Sequence, residues 1–215
     1  MRITLRSNPP VVVRKLSEEL AELNARAGAG PVTLREVIQM LGGRAYLLLV
    51  LLLSLPFLTP LPLPGLSTPF GLAIALVALR LSLGQRPWLS EGLLRKELPA
   101  GFIGKVFHVA ARILRFLEKF LRPRLTFLTD TPLLRQLHAL LMFVAAVALL
   151  LPLPIPFTNS FPAWSILLVA AGLLERDGGF VLAGYVVFAA GVFYFIFLGE
   201  AAVQLMHAAV EWLRR

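Results

Sequence analysis

The chain contains no cysteine. That excludes a disulfide framework, thiolate metal sites and cysteine nucleophiles. Charge is scarce as well: 15% of the 215 residues are charged, against roughly 25% in a soluble domain. Hydrophobic residues make up 58% and mean hydropathy is +0.79. So few polar groups cannot cover such a chain in water, and the excess apolar surface calls for lipid. The three histidines, His108, His138 and His207, fall on different segments, so no metal centre is expected. A glycine-rich phosphate loop with its lysine is missing. General acid–base chemistry needs positioned titratable groups, and no such constellation stands out. Neither an enzyme nor a bound cofactor is expected.

Basic residues are what the chain does have, 21 against 12 acidic, for a net charge of +9. They flank apolar stretches, which fits topology control and contact with anionic lipid better than nucleic acid. The stretch Met1 to Pro10 is polar and basic without an apolar core, so insertion is expected through internal segments. Residues 11–27 read as a short surface helix with Leu16, Leu20 and Leu23 on one stripe. Thr33 and Glu36 form a capping box for a second short helix ending at Gly42-Gly43.

Five apolar segments follow: Ala45–Leu58, Leu66–Leu83, Leu137–Leu151, Phe161–Leu174 and Phe180–Leu198. Spanning a 30 Å hydrocarbon core takes about 20 helical residues, and only the last approaches that length without charge or proline. The first four form two pairs. One pair is joined by Thr59-Pro60-Leu61-Pro62-Leu63-Pro64-Gly65, the other by Pro152-Leu153-Pro154-Ile155-Pro156-Phe157-Thr158-Asn159-Ser160. Proline removes a backbone donor and clashes with the preceding turn, so neither joint is helical. Both joints are apolar, which favours re-entrant hairpins with tips at membrane depth, buried against protein. Leu61-Pro62-Leu63-Pro64 matches Leu151-Pro152-Leu153-Pro154, and the flanking runs have similar lengths, as in an internal repeat. Repeated broken helices are how many secondary transporters build a site near the bilayer midplane.

Between the hairpins, residues 84–136 hold ten Lys and Arg against four Asp and Glu. Lys105, His108, Arg112, Arg115, Lys119 and Arg122 recur at steps of three and four, opposite an apolar face that includes Phe107, Ile113 and Phe120. This pattern predicts an amphipathic interfacial helix over 102–121, with Lys105, Arg112, Arg115, Lys119 and Arg122 on lipid headgroups. The positive-inside rule places 1–44 and 84–136 in the cytoplasm. The last segment is expected to span and continue into an amphipathic tail, with Gly184 and Gly191 as a helix-packing stripe. The expected fold class is all-α integral membrane: two Pro-broken helical hairpins, a basic interfacial helix and a C-terminal transmembrane helix. Its divisions are 1–30, 31–90 (first hairpin), 91–130 (basic region), 131–178 (second hairpin) and 179–215.

Polar side chains at membrane depth are few. Ser67, Thr68, Thr158, Asn159 and Ser160 lie where helices restart after the breaks, and Arg80 is an intramembrane charge. Free N–H groups at those helix starts would suit an anion such as a lipid phosphate.

Four stretches resemble the ExoD-type exopolysaccharide synthesis membrane proteins. They are Leu63-Pro64-Gly65-Leu66-Ser67-Thr68-Pro69-Phe70-Gly71 with Gly84-Gln85-Arg86-Pro87-Trp88-Leu89, Leu151-Pro152-Leu153-Pro154-Ile155-Pro156-Phe157-Thr158-Asn159, and Gly172-Leu173-Leu174-Glu175-Arg176-Asp177-Gly178. At Arg80 the family pattern has Gln, and at Ser90 a Pro. The resemblance implies a multi-pass bacterial inner-membrane protein associated with exopolysaccharide production, and it carries no molecular activity with it. Architecture then suggests a transporter-like protein acting on a lipid-linked or small anionic substrate at the hairpin tips. The alternative is a non-transporting scaffold or regulator of a polysaccharide synthesis complex. Expected partners are membrane lipid, polysaccharide synthesis machinery and further copies of the chain, and not nucleic acid.

Overall fold

From Ala45 to Leu53 the chain carries no charged side chain, so its main-chain polar groups are best satisfied within a helix. In the computed structural model this run forms α1 (Arg44–Ser54), entered through Gly42 at φ +56 and ended by a 3₁₀ turn, Leu55–Phe57, at Pro56. The structure describes residues 32–33, 41–59, 65–85, 97–98, 112, 115, 119–151 and 155–213, with backbone alone at 32–33, 97–98, 201–203 and 205–213. The surface helix expected over 11–27, the repeated Leu-Pro joints and most of the helix expected over 102–121, Lys105 included, lie outside the described residues.

The remaining described helices are α2 (Ser67–Ser82), α3 (Phe127–Asp130), α4 (Pro132–Leu149), α5 (Ser160–Glu175) and α6 (Gly178–Leu213). Among the described residues the departures from helix are small. Val32–Thr33 (β1) pairs antiparallel with Glu97–Leu98 (β2), tying the stretch before the first hairpin to the basic region. Arg124 and Asp177 form an isolated parallel bridge.

One expectation is corrected in length. The third apolar helix begins at Pro132, not Leu137, because proline at the first helical position removes a donor that would be unpaired anyway. At 18 residues, about 27 Å at 1.5 Å per residue, α4 joins Gly178–Glu200 of α6 as a helix long and apolar enough to cross a membrane. Arg44–Phe57, Ser67–Ser82 and Ser160–Glu175 are shorter apolar helices.

The two hairpins, α1–α2 and α4–α5, interlock. α2 packs mainly on α4, and α1 on α5. A Cβ on Gly71, near the start of α2, would lie 3.3 Å from the Ala146 carbonyl near the end of α4. One on Gly84, just past α2 and at φ +68, would lie 2.6 Å from Gln136 Nε2 near the start of α4. The helices α2 and α4 therefore run antiparallel, with both tips at one end and both bases at the other. Each hairpin rises from the base and returns to it, so the two share one direction and are not inverted.

The core between them is rich in small residues, including Ala78, Ala145, Ala146, Ala163 and Ala170, which let backbones approach closely. Helix α6 then lies along α5, as the glycine stripe requires. A Cβ on Gly184 would fall 2.5 Å from Val169 Cγ2, and one on Gly191 2.9 Å from Phe161 Cβ.

Candidate functional site

Ending a helix inside an apolar hairpin frees backbone carbonyls that need donors where water is scarce. At the tips those donors come from side chains. Ser160 Oγ donates to the Thr59 carbonyl at 2.8 Å, and Trp164 Nε1 to the Leu58 carbonyl at 3.1 Å, so the second hairpin caps the first. Within the second tip, Thr158 Oγ1 donates to the Ile155 carbonyl, and Tyr194 Oη reaches from α6 to the Pro156 carbonyl, both at 2.8 Å. Ser54 returns its hydroxyl to the Leu51 carbonyl at 2.7 Å. Phe157 turns the chain into α5 at φ +67, a left-handed conformation that costs a non-glycine residue free energy.

The residues expected to form a site divide in two. Thr158, Asn159 and Ser160 are buried together at the second tip, and Ser67 is buried at the first. Thr68 is exposed. Arg80 lies thirteen residues beyond Ser67 along α2, about 20 Å at 1.5 Å per residue, and its Nη1 donates to Gln85 Oε1 at 3.1 Å at the base. It stands apart from the tips.

Most of the N–H groups expected to be free at the start of α5 are paired. Thr158 N donates to the Ile155 carbonyl, and Ser160 N and Phe161 N both donate to the Phe157 carbonyl. Pro162 has no N–H to offer. Near this helix start, among the described residues, Asn159 Oδ1 is left buried without a hydrogen-bond partner, as is Ser165 Oγ further along α5.

The base holds a second polar centre that the sequence does not reveal. Asp177 is fully buried, and its carboxylate accepts from Arg122 N at 3.0 Å, Arg124 Nε at 3.2 Å and Gly179 N at 2.9 Å. It caps α6 while holding the end of the basic region against the α5–α6 turn. Arg176 makes that turn in the left-handed conformation, and Gly178 N donates to the Arg124 carbonyl at 2.8 Å. His138 Nε2 lies 3.0 Å from the Leu128 carbonyl and Nδ1 2.9 Å from Tyr185 Oη. A carbonyl only accepts, so in the neutral ring Nε2 holds the hydrogen and Nδ1 accepts from Tyr185. These partners are 47 and 10 residues away, which is why periodicity could not pair them. The Gly172-to-Gly178 stretch was the available signal for Asp177. Of the residues expected at lipid headgroups, Arg112 and Arg115 are helical and exposed, Lys119 is exposed, and Arg122 is exposed while its main-chain N–H holds Asp177.

Interlocked apolar hairpins, a long apolar helix beside them and a basic base are compatible with an all-α, membrane-associated class of protein. Within that class, the chain belongs to the ExoD family of exopolysaccharide synthesis, whose family model matches residues 16–197. It is similar to Protein ExoD of Rhizobium meliloti (strain 1021), 38% identical over 190 residues covering 88% of this chain and 79% of that one. It is also similar to an uncharacterized protein of Synechocystis sp., 31% identical over 208 residues covering 93% of this chain and 96% of that one. No solved structure matches it significantly.

Proposed function

We propose that this protein is a multi-pass transporter of the bacterial inner membrane, serving exopolysaccharide synthesis by handling a lipid-linked substrate where its hairpin tips meet. The observation that carries this reading is the side-chain capping of the tip carbonyls at Leu58, Thr59, Ile155 and Pro156. Such capping suits tips that sit away from water, in re-entrant hairpins. Depth agrees. Tyr194 is sixteen residues from the start of α6, about 24 Å, and it touches the second tip. The apolar span of α6 continues beyond it to Glu200. The hairpins then reach most of the way through a 30 Å core without emerging.

In this reading the bases and the basic region face the cytoplasm, headgroups contact Arg112, Arg115, Lys119 and Arg122, and the protein moves its substrate without catalysing a reaction. The common direction of the hairpins supports placing residues 85–131 on one side, since that connection leaves and returns at the base.

The test is transfer of a fluorescent lipid-linked oligosaccharide between leaflets of reconstituted vesicles. Wild type is expected to accelerate transfer, and a protein locked by a Thr59→Cys/Ser160→Cys disulfide is expected to lose it. Equal transfer with and without protein would leave the competing reading, a scaffold or regulator that recruits the synthesis machinery. Water-soluble thiol reagents that label the tip cysteines freely from outside would sink the re-entrant arrangement.

A further inference from the structure

We infer that the buried polar group at the start of α5 receives a neutral, hydroxyl-bearing moiety, the saccharide of a lipid-linked carrier, and not its phosphate. This rests on the tips being the substrate site. Asn159 occupies the N-cap position of α5, where an asparagine side chain ordinarily accepts from the N–H of the second or third helical residue. Here it caps nothing. The second residue, Phe161, gives its N–H to the Phe157 carbonyl, and the third is Pro162. The fold thus withdraws the usual employment of this side chain and leaves Oδ1 buried without a partner. An unpaired buried acceptor costs about 1–3 kcal/mol, so its retention points to a ligand that donates to it. Ser165 Oγ, five residues further along α5, is also buried and unpaired.

An anion needs several convergent donors, and at this helix start most are spent. The N–H groups of Thr158, Ser160 and Phe161 and the hydroxyl hydrogens of Thr158 and Ser160 all go to main-chain carbonyls. Arg80, at the far end of α2, supplies no charge here. The Asn159 amide sets an unpaired acceptor, Oδ1, beside the N–H donors of Nδ2, a combination that suits a sugar hydroxyl, which both donates and accepts, better than a phosphate, which only accepts.

The full-length protein in zwitterionic nanodiscs, carrying Trp88→Phe and Trp212→Phe so that Trp164 alone reports, is titrated with farnesyl β-glucoside, farnesyl phosphate and farnesol. The glucoside is expected to bind about ten-fold more tightly than farnesol, and the phosphate no more tightly than farnesol. Asn159→Ala is expected to reduce the glucoside preference about five-fold, the share of one hydrogen bond. Asn159→Ser serves if the alanine variant does not fold. Tightest binding by the phosphate, or an unchanged glucoside preference in both variants, overturns the inference. The two readings fail separately. Glucoside binding without vesicle transfer removes the transport function and keeps this site. Transfer of phosphate-bearing carriers with no effect at Asn159 does the reverse.

Discussion

The two hairpins look alike in sequence, yet the structure gives them unequal surroundings. α5 packs on α1, α4 and α6 and buries most of its length, whereas α2 buries only one face. At the tips the contrast sharpens. Gly65, Leu66, Thr68 and Pro69 of the first are exposed, while Thr158, Asn159 and Ser160 of the second are buried. The first tip contributes carbonyls to be capped, and the second contributes the side chains that cap them. Similar hairpins thus diverge in role because α6 lies against only one of them. A helix laid along α5 removes water from the second tip and raises the cost of any polar atom left unpaired there.

The bases should separate the hairpins most strongly. Asp177→Ala removes the cap of α6 and the acceptor of Arg122 N and Arg124 together, and a loss of about 2–3 kcal/mol is expected in reversible unfolding. At the corresponding end of the first hairpin Arg80 makes an exposed contact with Gln85, so Arg80→Ala should cost under about 0.5 kcal/mol. Equal losses would remove the asymmetry.

Packing offers the next contrast. Gly184→Ala drives a methyl to 2.5 Å from Val169 Cγ2, whereas Gly71→Ala brings one no nearer than 3.2 Å from Leu150 Cδ2 and 3.3 Å from the Ala146 carbonyl. About 1–3 kcal/mol is expected for the first and clearly less for the second, measured as melting in the same detergent. A Gly71 variant that melts lower than the Gly184 variant would mean that the α2–α4 contact, not α5–α6, is the tighter one.

Capping should give a smaller effect. Trp164→Phe keeps most of the ring but leaves the Leu58 carbonyl unpaired, at a cost of about 1 kcal/mol. Amide exchange should rise in the first hairpin rather than the second. Faster exchange confined to 155–160 would reverse the donor and recipient roles assigned to the tips.

The smallest effect on the fold is expected in the basic region. Changing Arg112, Arg115 and Lys119 together to Gln should leave melting unchanged and weaken binding to anionic liposomes, at about 1 kcal/mol per charge before salt screening. Unchanged liposome binding, or lipid labels that find Phe107 and Ile113 at the bilayer centre, would sink the interfacial reading.

Much of this was legible from local pattern. The apolar runs located the hairpin arms to within a few residues, because a helix in an apolar stretch answers to hydropathy and proline. α4 was read short because its apolar run starts at Leu137, past Arg135 and Gln136, whereas the helix itself starts at Pro132. Gly184 and Gly191 were correctly read as a packing stripe, since only small residues allow such close approach. The polar residues of the second tip were also legible, as rare hydrophilic groups beside a break. What their hydrogens do was not: a sequence shows donors and acceptors without showing which are already spent.

Composition and periodicity by themselves determined that this chain is helical, rich in apolar surface and broken twice by proline, because those are properties of single segments and their solvent. Tertiary structure alone decided that both hairpins point the same way, that Ser160 and Trp164 reach carbonyls more than a hundred residues distant, and that Asp177 fastens the basic region to α6. Such contacts depend on which faces meet after the helices pack, and no local free-energy preference encodes that choice.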